Sequence, residues 1–344
     1  MAKVIVTGGA GYIGSHTVVE LCNAGHDVVC VDNFFNAYPE LWPRVEALAG
    51  REVPLYDVDL EDAAATEAVF AEHADAVAVI HFAARIYVGE SVERPLRYFR
   101  QNLNSMLNVL DAMSRHGQGA FIFSSSCSVY GNATDLPVTE ATPFGEAESP
   151  YARTKQMGEH IIRDFVRAHP EVQGVILRYF NPAGAHESGR IGEAPKLEQT
   201  HLVPVIMEVA TGHRPALKVF GGDYPTRDGS CVRDFIHVSD LGAAHLRAVE
   251  YATGGRATEN PAVFNLGAGD GVSIFEAIAA FESATGERLA YEVVDARDGD
   301  VAAIYSTTAK ANDRLGWRPR YSLEDIMRHA LAWERARTGA LHKA

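Results

Sequence analysis

The sequence is poor in cysteine, with four in 344 residues: Cys22, Cys30, Cys127 and Cys231. No two of them stand as C-x-x-C, so a zinc ribbon or a dithiol redox motif has no support and no metal is expected. Buried, reduced thiols in a cytoplasmic protein are the expectation. Long apolar runs are missing as well. Crossing a bilayer takes roughly 18–20 apolar residues, and the stretch from Ala76 to Ala84 is far shorter. No membrane partner is therefore expected. The opening MAKVIVTGG reaches a β-branched run by Lys3 without the apolar stretch and cleavage site of a secretory leader. Positive charge is scarce. Lys plus Arg is 31 and Asp plus Glu is 45, a net −14. A nucleic-acid binder needs a basic face, so that class is not expected. An enzyme with two or three arginines at one anionic site remains compatible. No internal repeat or low-complexity tract is visible.

What is present is an alternation. Short runs rich in β-branched residues recur at Val4–Val6, Val28–Val31, Val77–Ile80, Phe121–Phe123 and Val175–Leu177. Helix-like segments lie between them, near 12–24, 62–72, 94–116 and 151–169. Continuous apolar strands between amphipathic helices predict a parallel sheet covered on both faces. The fold class is α/β, with a doubly wound, Rossmann-type sheet. After Asn181 the rhythm is lost. The next twenty residues are rich in Gly, Pro and charge, and helical pieces follow near 202–212, 239–251, from Ser273, and at 322–337. The expected division is a nucleotide-binding domain over 1–180, with a return segment near 232–250. A smaller α/β domain over 181–344 closes on the carboxyl ends of its strands.

The first strand runs into Thr7-Gly8-Gly9-Ala10-Gly11-Tyr12-Ile13-Gly14, a G-x-x-G-x-x-G variant of the dinucleotide fingerprint. Gly8 permits the turn, Gly11 admits a pyrophosphate to the backbone, and Gly14 lets the helix pack on the strand. The helix N-terminus adds partial positive charge. The second strand ends in Asp32, 18 residues beyond Gly14. A carboxylate there bonds ribose hydroxyls and repels a 2′-phosphate, which favours NAD over NADP. Asp59 and the run His81-Phe82-Ala83-Ala84 fit adenine and ribose contacts at later strand ends.

Chemistry is carried by a second constellation. The strand Phe121–Phe123 leads into Ser124-Ser125-Ser126, and 25 residues after Ser126 comes Tyr151, with Lys155 at i+4 on the same helix face. A tyrosine serving as base near neutrality must fall about three pKa units, or about 4 kcal/mol. One positive charge at about 4 Å supplies on the order of 4 kcal/mol at an effective dielectric near 20. Lys155, with the cation of oxidised nicotinamide, suits that task. Ser126, at a strand's carboxyl end, bonds the reacting hydroxyl and relays its proton.

These motifs resemble the extended short-chain dehydrogenase/reductase family and, within it, the UDP-glucose 4-epimerases. The resemblance runs from Lys3 to about Trp333. It rests on TGGAGYIGSH from Thr7, VGESVERPL from Val88, IFSSSCSVYG from Ile122, SPYARTK from Ser149, LRYFNPAGAH from Leu177, FGGDYPTRDGSCVRDFIHVSDL from Phe220 and FNLGAG from Phe264. It implies reversible 4-epimerisation of UDP-glucose and UDP-galactose through a 4-keto intermediate, with tightly bound NAD. The catalytic residues it implies are Ser126, Tyr151 and Lys155. The implied cofactor set is Gly8, Gly11, Tyr12, Ile13, Gly14, Asp32, Asn33, Asn36, Asp59, Leu60, Phe82, Ala83, Ala84, Asn102, Ser124, Tyr151, Lys155 and Tyr179. Substrate would meet Ser126, Tyr151, Asn181, His201, Leu202, Lys218, Val219, Phe220, Arg233, Arg297, Asp300 and Ile304. A homodimer is implied as well, joined by the helices near 94–116 and 151–169.

The chain departs from the family's pattern in places. Where many members carry a lysine near the cofactor phosphates it has Ile86, with Arg85 beside it, and where some have Asn-Asn it has Thr200-His201. Ile304 falls at the family's size gate for the sugar 2-substituent. Its intermediate bulk predicts weak or no activity on UDP-N-acetylhexosamines. A 4,6-dehydratase needs an acidic pair where this chain has Cys127 and Ser128. A cofactor sensor without catalysis would have lost Tyr151 or Lys155. An epimerase of another UDP-sugar, an N-acetylhexosamine, pentose or uronate, is the open alternative.

Overall fold

The computed structural model describes residues 2–196, 199–296 and 301–341. Strands β1 (Lys3–Thr7), β2 (Asp27–Asp32), β3 (Leu55–Asp57), β4 (Ala78–His81), β5 (Ala120–Ser126) and β6 (Gln173–Tyr179) form one sheet with the later strand Ala262–Leu266. The β-branched runs make strands here because both of their faces are covered, which a parallel sheet between helices requires. The order is Ala262–Leu266, β6, β5, β4, β1, β2, β3, with every neighbour parallel. Winding reverses between β1 and β4, and a ligand crevice opens at that switch, beyond the carboxyl ends of the strands.

The helices divide between the two faces. Helices α1 (Tyr12–Asn23) and α2 (Trp42–Ala49) share one core with Val4, Val6, Ile80, Ile122 and Leu177 of the sheet. Helices α3 (Ala63–Glu72), α5 (Pro95–His116) and α6 (Pro150–Ala168), with the short α4 (Val88–Glu93) before α5, lie on the other side. There Phe70, Met106, Val109, Met113 and Ile162 pack on Ile5, Val79, Phe121 and Ile176. Val4 and Ile5 thus face opposite cores one residue apart, as the two-residue period of a strand requires. Boundaries follow local chemistry. The Asp62 side chain caps α3 by accepting from the N–H groups of Ala64 and Ala65, and Ser149 caps α6 with Pro150 at its first position. Gly117, at φ 83°, takes the left-handed turn that ends α5.

Beyond Asn181 a second core forms. Helix α7 (Leu202–Ala210), the paired parallel strands Leu217–Phe220 and Tyr291–Val294, and the helices Ile274–Thr285 and Leu323–Leu341 bury Val203, Ile206, Val219, Phe281, Met327 and Leu331. Helix α8 (Val238–Thr253) supplies Leu241, Ala244 and Ala248 to the α1 side of the large sheet. The strand Ala262–Leu266 then extends the sheet beyond β6. The return to the large sheet, expected near 232–250, therefore runs on to Leu266. Helices α2 and α4 and strand β3 are too short to show a period in the sequence. Among the described residues no helix is long and apolar enough to cross a membrane, and no group of three or more His, Cys, Asp or Glu is placed to hold a metal. All four cysteines are free. Three are buried, whereas Cys127 is partly exposed.

Four histidines are built into these cores as neutral rings. His245 Nδ1 donates to the carbonyl of Leu241, which leaves Nε2 to accept from the Tyr179 hydroxyl. His16 Nδ1 donates to the Tyr12 carbonyl, and the Thr7 hydroxyl lies 2.8 Å from His81 Nδ1. His237 Nδ1 accepts from the Ser239 N–H. Burial lowers His16, His81 and His237 to about 3 and His245 to about 4. An unfolded histidine titrates near 6.5, so between pH 6.5 and 4 the unfolded chain binds more protons than the folded one. Stability is therefore full above pH 6.5 and falls as the pH drops below it, by about 1 kcal/mol per buried histidine per pH unit. Thermal melts at pH 7.5 and 5.5 should show a clearly lower Tm at the acid pH. An unchanged Tm would contradict the neutral-ring assignment.

Candidate active site

The loops that follow β1, β2, β4, β5 and β6 surround a cavity of about 780 Å³, and residues 199–205, 217–220, Arg233 and Phe235 wall its far end. Every cofactor residue expected from the sequence lines it, from Gly8 in the first loop to Tyr179 at the end of β6. The glycine loop is as tight as its spacing demands. Gly8 adopts φ 71°, and a Cβ on it would meet the Ala83 N at 2.8 Å; a Cβ on Gly14 would collide with the carbonyl of Gly8. Gly11 is the N-cap of α1 and brings no side chain to its first-turn N–H groups, and no acidic side chain lies in that turn. An uncapped helix start lining a cavity fits the diphosphate of a dinucleotide.

The polar groups near this loop are partly spent on holding it. Asp32 Oδ2 accepts from the Ala10 N–H at 3.0 Å and Oδ1 from the Phe34 N–H at 2.8 Å. Burial raises its pKa against these bonds. The Gly11 N–H bonds it as well, and since a carboxylate has about four acceptor positions, about one remains for a ribose hydroxyl. Asn33 donates to Asp59 at 3.2 Å, tying two of the expected cofactor residues together. The Tyr12 hydroxyl donates to the Gly184 carbonyl at 2.6 Å and joins α1 to the segment after β6. Asn102, on α5, bonds both the N–H and the carbonyl of Arg85, at 2.8 and 3.1 Å. Its amide therefore fixes the loop after Ala84.

At the opposite end Ser126, Tyr151 and Lys155 meet. Tyr151 and Lys155 stand on one face of α6, and Lys155 Nζ lies 5.7 Å from the centre of the Tyr151 ring. Lys155 donates to the Ser124 carbonyl at 2.7 Å, which ties α6 to the end of β5. Burial lowers Lys155 to about 8. Burial raises Tyr151 to about 12, against a hydrogen bond with Ser126 that favours the phenolate. The Ser126 oxygen also accepts from the Ser128 N–H at 3.2 Å. Cys127 lines the same cavity as a protonated thiol, raised to about 12 by burial.

A buried ion pair underlies this end. Glu159, one turn beyond Lys155, is fully buried. It receives Arg178 Nε at 2.9 Å, Arg178 Nη2 at 2.7 Å and the Ser125 hydroxyl at 2.6 Å. Arg178 Nη1 donates to the Tyr130 hydroxyl, which donates onward to Asn265.

The expected substrate residues divide. Asn181, His201, Leu202, Lys218, Val219, Phe220 and Arg233 all line the cavity. The Asn181 side-chain oxygen is buried without a partner among the described residues, an acceptor left over for a ligand. Glu193, 3.3 Å from His201, raises its pKa and favours its cationic form. Arg297 and Asp300 lie outside the described residues. Ile304 does not line the cavity. It is 7% exposed and packs with Val129, Tyr130, Val138 and Phe180 in a small apolar cluster. Phe180 and Cys127, which belong to the same cluster, do line the cavity, so Ile304 lies directly behind its wall. Phe180 and Glu193 were not anticipated. Phe180 follows the last residue of β6, at the carboxyl end where ligands gather, and that position was a usable signal. Nothing in the sequence places Glu193 beside His201.

Replacing Glu159 by Leu should lower stability by about 3–5 kcal/mol, because it leaves the Arg178 charge buried and unpaired. Glu159→Leu combined with Arg178→Met should recover most of that loss. Denaturant midpoints of the two variants would check this, and a single-variant loss below about 1 kcal/mol would count against it.

Comparisons with known proteins agree with this arrangement. Residues 4–267 match the model of the NAD dependent epimerase/dehydratase family. The UDP-glucose 4-epimerase of Erwinia amylovora is 45% identical over 332 residues, covering 96% of this chain and 97% of the relative. That of Mus musculus is 45% identical over 341 residues, covering 97% of each chain. A UDP-glucose-4-epimerase structure from Stenotrophomonas maltophila, with bound NAD and formylated UDP-arabinopyranose, superposes with TM-score 0.95 at 41% identity, covering 99% of this chain and 100% of that one. The Bifidobacterium longum UDP-glucose 4-epimerase, in complex with NAD+ and UDP, gives TM-score 0.92 at 43% identity, covering 98% and 99%. With its glycine loop, its Ser126–Tyr151–Lys155 cluster and these full-length matches, the chain belongs to the NAD dependent epimerase/dehydratase family.

Proposed function

We propose that the protein interconverts UDP-glucose and UDP-galactose by inverting C4, with NAD retained between turnovers. The observation that carries this reading is the meeting of Ser126, Tyr151 and Lys155 in one cavity with an uncapped dinucleotide loop. NAD, when bound, supplies the acceptor and then the donor of the C4 hydride. Gly11–Gly14 would hold its diphosphate, Asp32 a ribose, and Lys155 the ribose beside the nicotinamide. Tyr151 takes the proton of the sugar 4-hydroxyl. Ser126, already bonded to Tyr151, holds the same oxygen. Lys155 keeps a positive charge near the ring, which opposes the upward push of burial on the phenol. The 4-keto sugar presents its other face before Tyr151 returns the proton. Lys218, Val219, Phe220 and Arg233 receive the nucleotide half, an arginine fork being suited to a diphosphate. Arg297 and Asp300 are proposed to join them.

Residues 1–180, with the return through α8 and the strand Ala262–Leu266, are proposed as the cofactor domain, and the remainder of 181–344 as the substrate domain. A homodimer is proposed through α5 and α6. Leu96 is 71% and Leu107 46% exposed on α5, and Met157 is 41% exposed on α6. A cytoplasmic location is proposed. A second reading is a 4-epimerase of UDP-pentoses, favoured by the arabinopyranose nucleotide in the Stenotrophomonas maltophila structure.

The test is a coupled assay on purified protein without added NAD, with UDP-galactose supplied and UDP-glucose detected by its dehydrogenase. Turnover is expected. Silence with and without NAD, alongside turnover of UDP-arabinopyranose, would select the second reading. Tyr151→Phe should lower turnover by roughly 100- to 10,000-fold while binding NAD normally. Leu96→Asp with Leu107→Asp should halve the mass measured by light scattering, and an unchanged mass would rule out the α5–α6 seam.

A further inference from the structure

Arg85 is an unusual residue for its position. Its side chain lines the cavity and only 9% of the residue is exposed, yet Nε and Nη1 are buried with no partner among the described residues. A guanidinium is cationic at any working pH and has five donors to satisfy. Leaving two of them dry is costly, and native proteins rarely do so without a ligand to take them.

The surroundings hold this group in place. Asn102 bonds the Arg85 backbone on both sides, at 2.8 and 3.1 Å. The Arg85 guanidinium carbon sits 3.6 Å from the centre of the Phe35 ring, a cation–π contact that fixes the plane of the group without using its donors. Burial and the like charge of Arg97 act against the Arg85 cation, while Glu90 and Glu61 favour it. Glu90 forms its ion pair with Arg97, at 3.3 Å, and among the described residues no carboxylate forms one with Arg85.

Topology gives the position its meaning. The sheet order β4, β1, β2 places the loops after β4 and β2 on opposite sides of the glycine loop. Arg85 belongs to the first and Phe35 to the second. Their stack, and a hydrogen bond from the Tyr87 hydroxyl to Asn36 at 3.1 Å, join the two loops across the groove that starts at α1. Lys196 reinforces the β2 side by donating to the Phe34 carbonyl at 2.7 Å.

We propose that Arg85, stacked on Phe35, is an anion clasp that closes over the diphosphate of the dinucleotide cofactor and donates Nε and Nη1 to it. The proposal rests on the NAD-dependent reading above. Its consequence is slow cofactor release, since leaving the groove requires the Arg85–Phe35 stack to part. Ile86, beside it and 39% exposed, has no charge with which to do this.

The test uses the full chain stripped of nucleotide, with NAD binding followed by calorimetry and release followed by displacement. Arg85→Leu should weaken NAD binding by roughly 10- to 100-fold, the range of a charge-assisted hydrogen bond. Phe35→Leu should speed release with a smaller change in affinity. Arg85→Lys, which keeps the charge but not the fork, should fall between wild type and Arg85→Leu. Melting temperatures confirm folding of each variant. Unchanged NAD affinity and release in a folded Arg85→Leu protein would overturn the clasp. A loss confined to NADP, with NAD binding intact, would also overturn it, because Arg85 would then face the 2′ position. Failure of the wild-type protein itself to bind NAD would instead overturn the cofactor reading on which the clasp stands.

Discussion

The buried pairing of Glu159 with Arg178 is the constraint on which the catalytic end depends. Tyr151, Lys155 and Glu159 fall at successive turns of one face of α6, since residues four apart stack along a helix. Glu159 is met by Arg178 from β6 and by the Ser125 hydroxyl from β5. This fixes the rotation of α6 about its own axis against the ends of both strands. Lys155 then reaches the Ser124 carbonyl, and Tyr151 reaches Ser126. A buried charge pair is weak evidence for stability, but it penalises any other register because an unmatched partner would be stranded. The Tyr130 hydroxyl and Asn265 extend the pairing to the strand Ala262–Leu266. The edge strand thus belongs to the same network as Glu159 on α6.

The remainder of the cavity follows from the winding of the sheet. Parallel strands deliver all their loops to one side, and the reversal between β1 and β4 keeps the helices from covering the crevice there. The glycine loop occupies it with almost no side-chain volume. The loops after β2 and β4 flank it and bond to one another. The segment after β6 is attached to α1 through Tyr12 and Gly184, which places Asn181 and the second core over the far end. One cavity therefore runs from the glycine loop to the second core.

Charge is arranged locally against the overall sign. The chain carries a net −14, yet Lys155, Arg85, Arg214, Lys218 and Arg233 all line the cavity. The cavity thus carries a few placed cations, which a strongly acidic composition had left possible. Asp32 and Glu193 temper them, one at the glycine loop and one beside His201.

Much of this was legible in the residues because it is local. The glycine spacing, the β-branched runs and the Tyr151–Lys155 offset each depend on a short stretch of backbone with its own period. They were enough to indicate the doubly wound sheet and the cofactor class, and to single out Ser126, Tyr151 and Lys155, which the fold brings into one cavity. Other matters depended on which distant segments meet. The strand Ala262–Leu266 carries no mark of its partner, and its place beside β6 depends on the core that it shares with α8. Asn102 is placed near the cofactor by resemblance alone, and only the fold shows its amide holding the Arg85 backbone. Ile304 occupies the family's gate position in the sequence, while in the fold it lies in a small cluster behind Phe180 and Cys127. The sequence by itself determined the chemistry this protein carries, since reactive groups and their helical or strand spacing are written along the chain. Only the tertiary structure decided which of those groups face the cavity, because burial and unsatisfied donors arise from contacts between elements far apart in sequence.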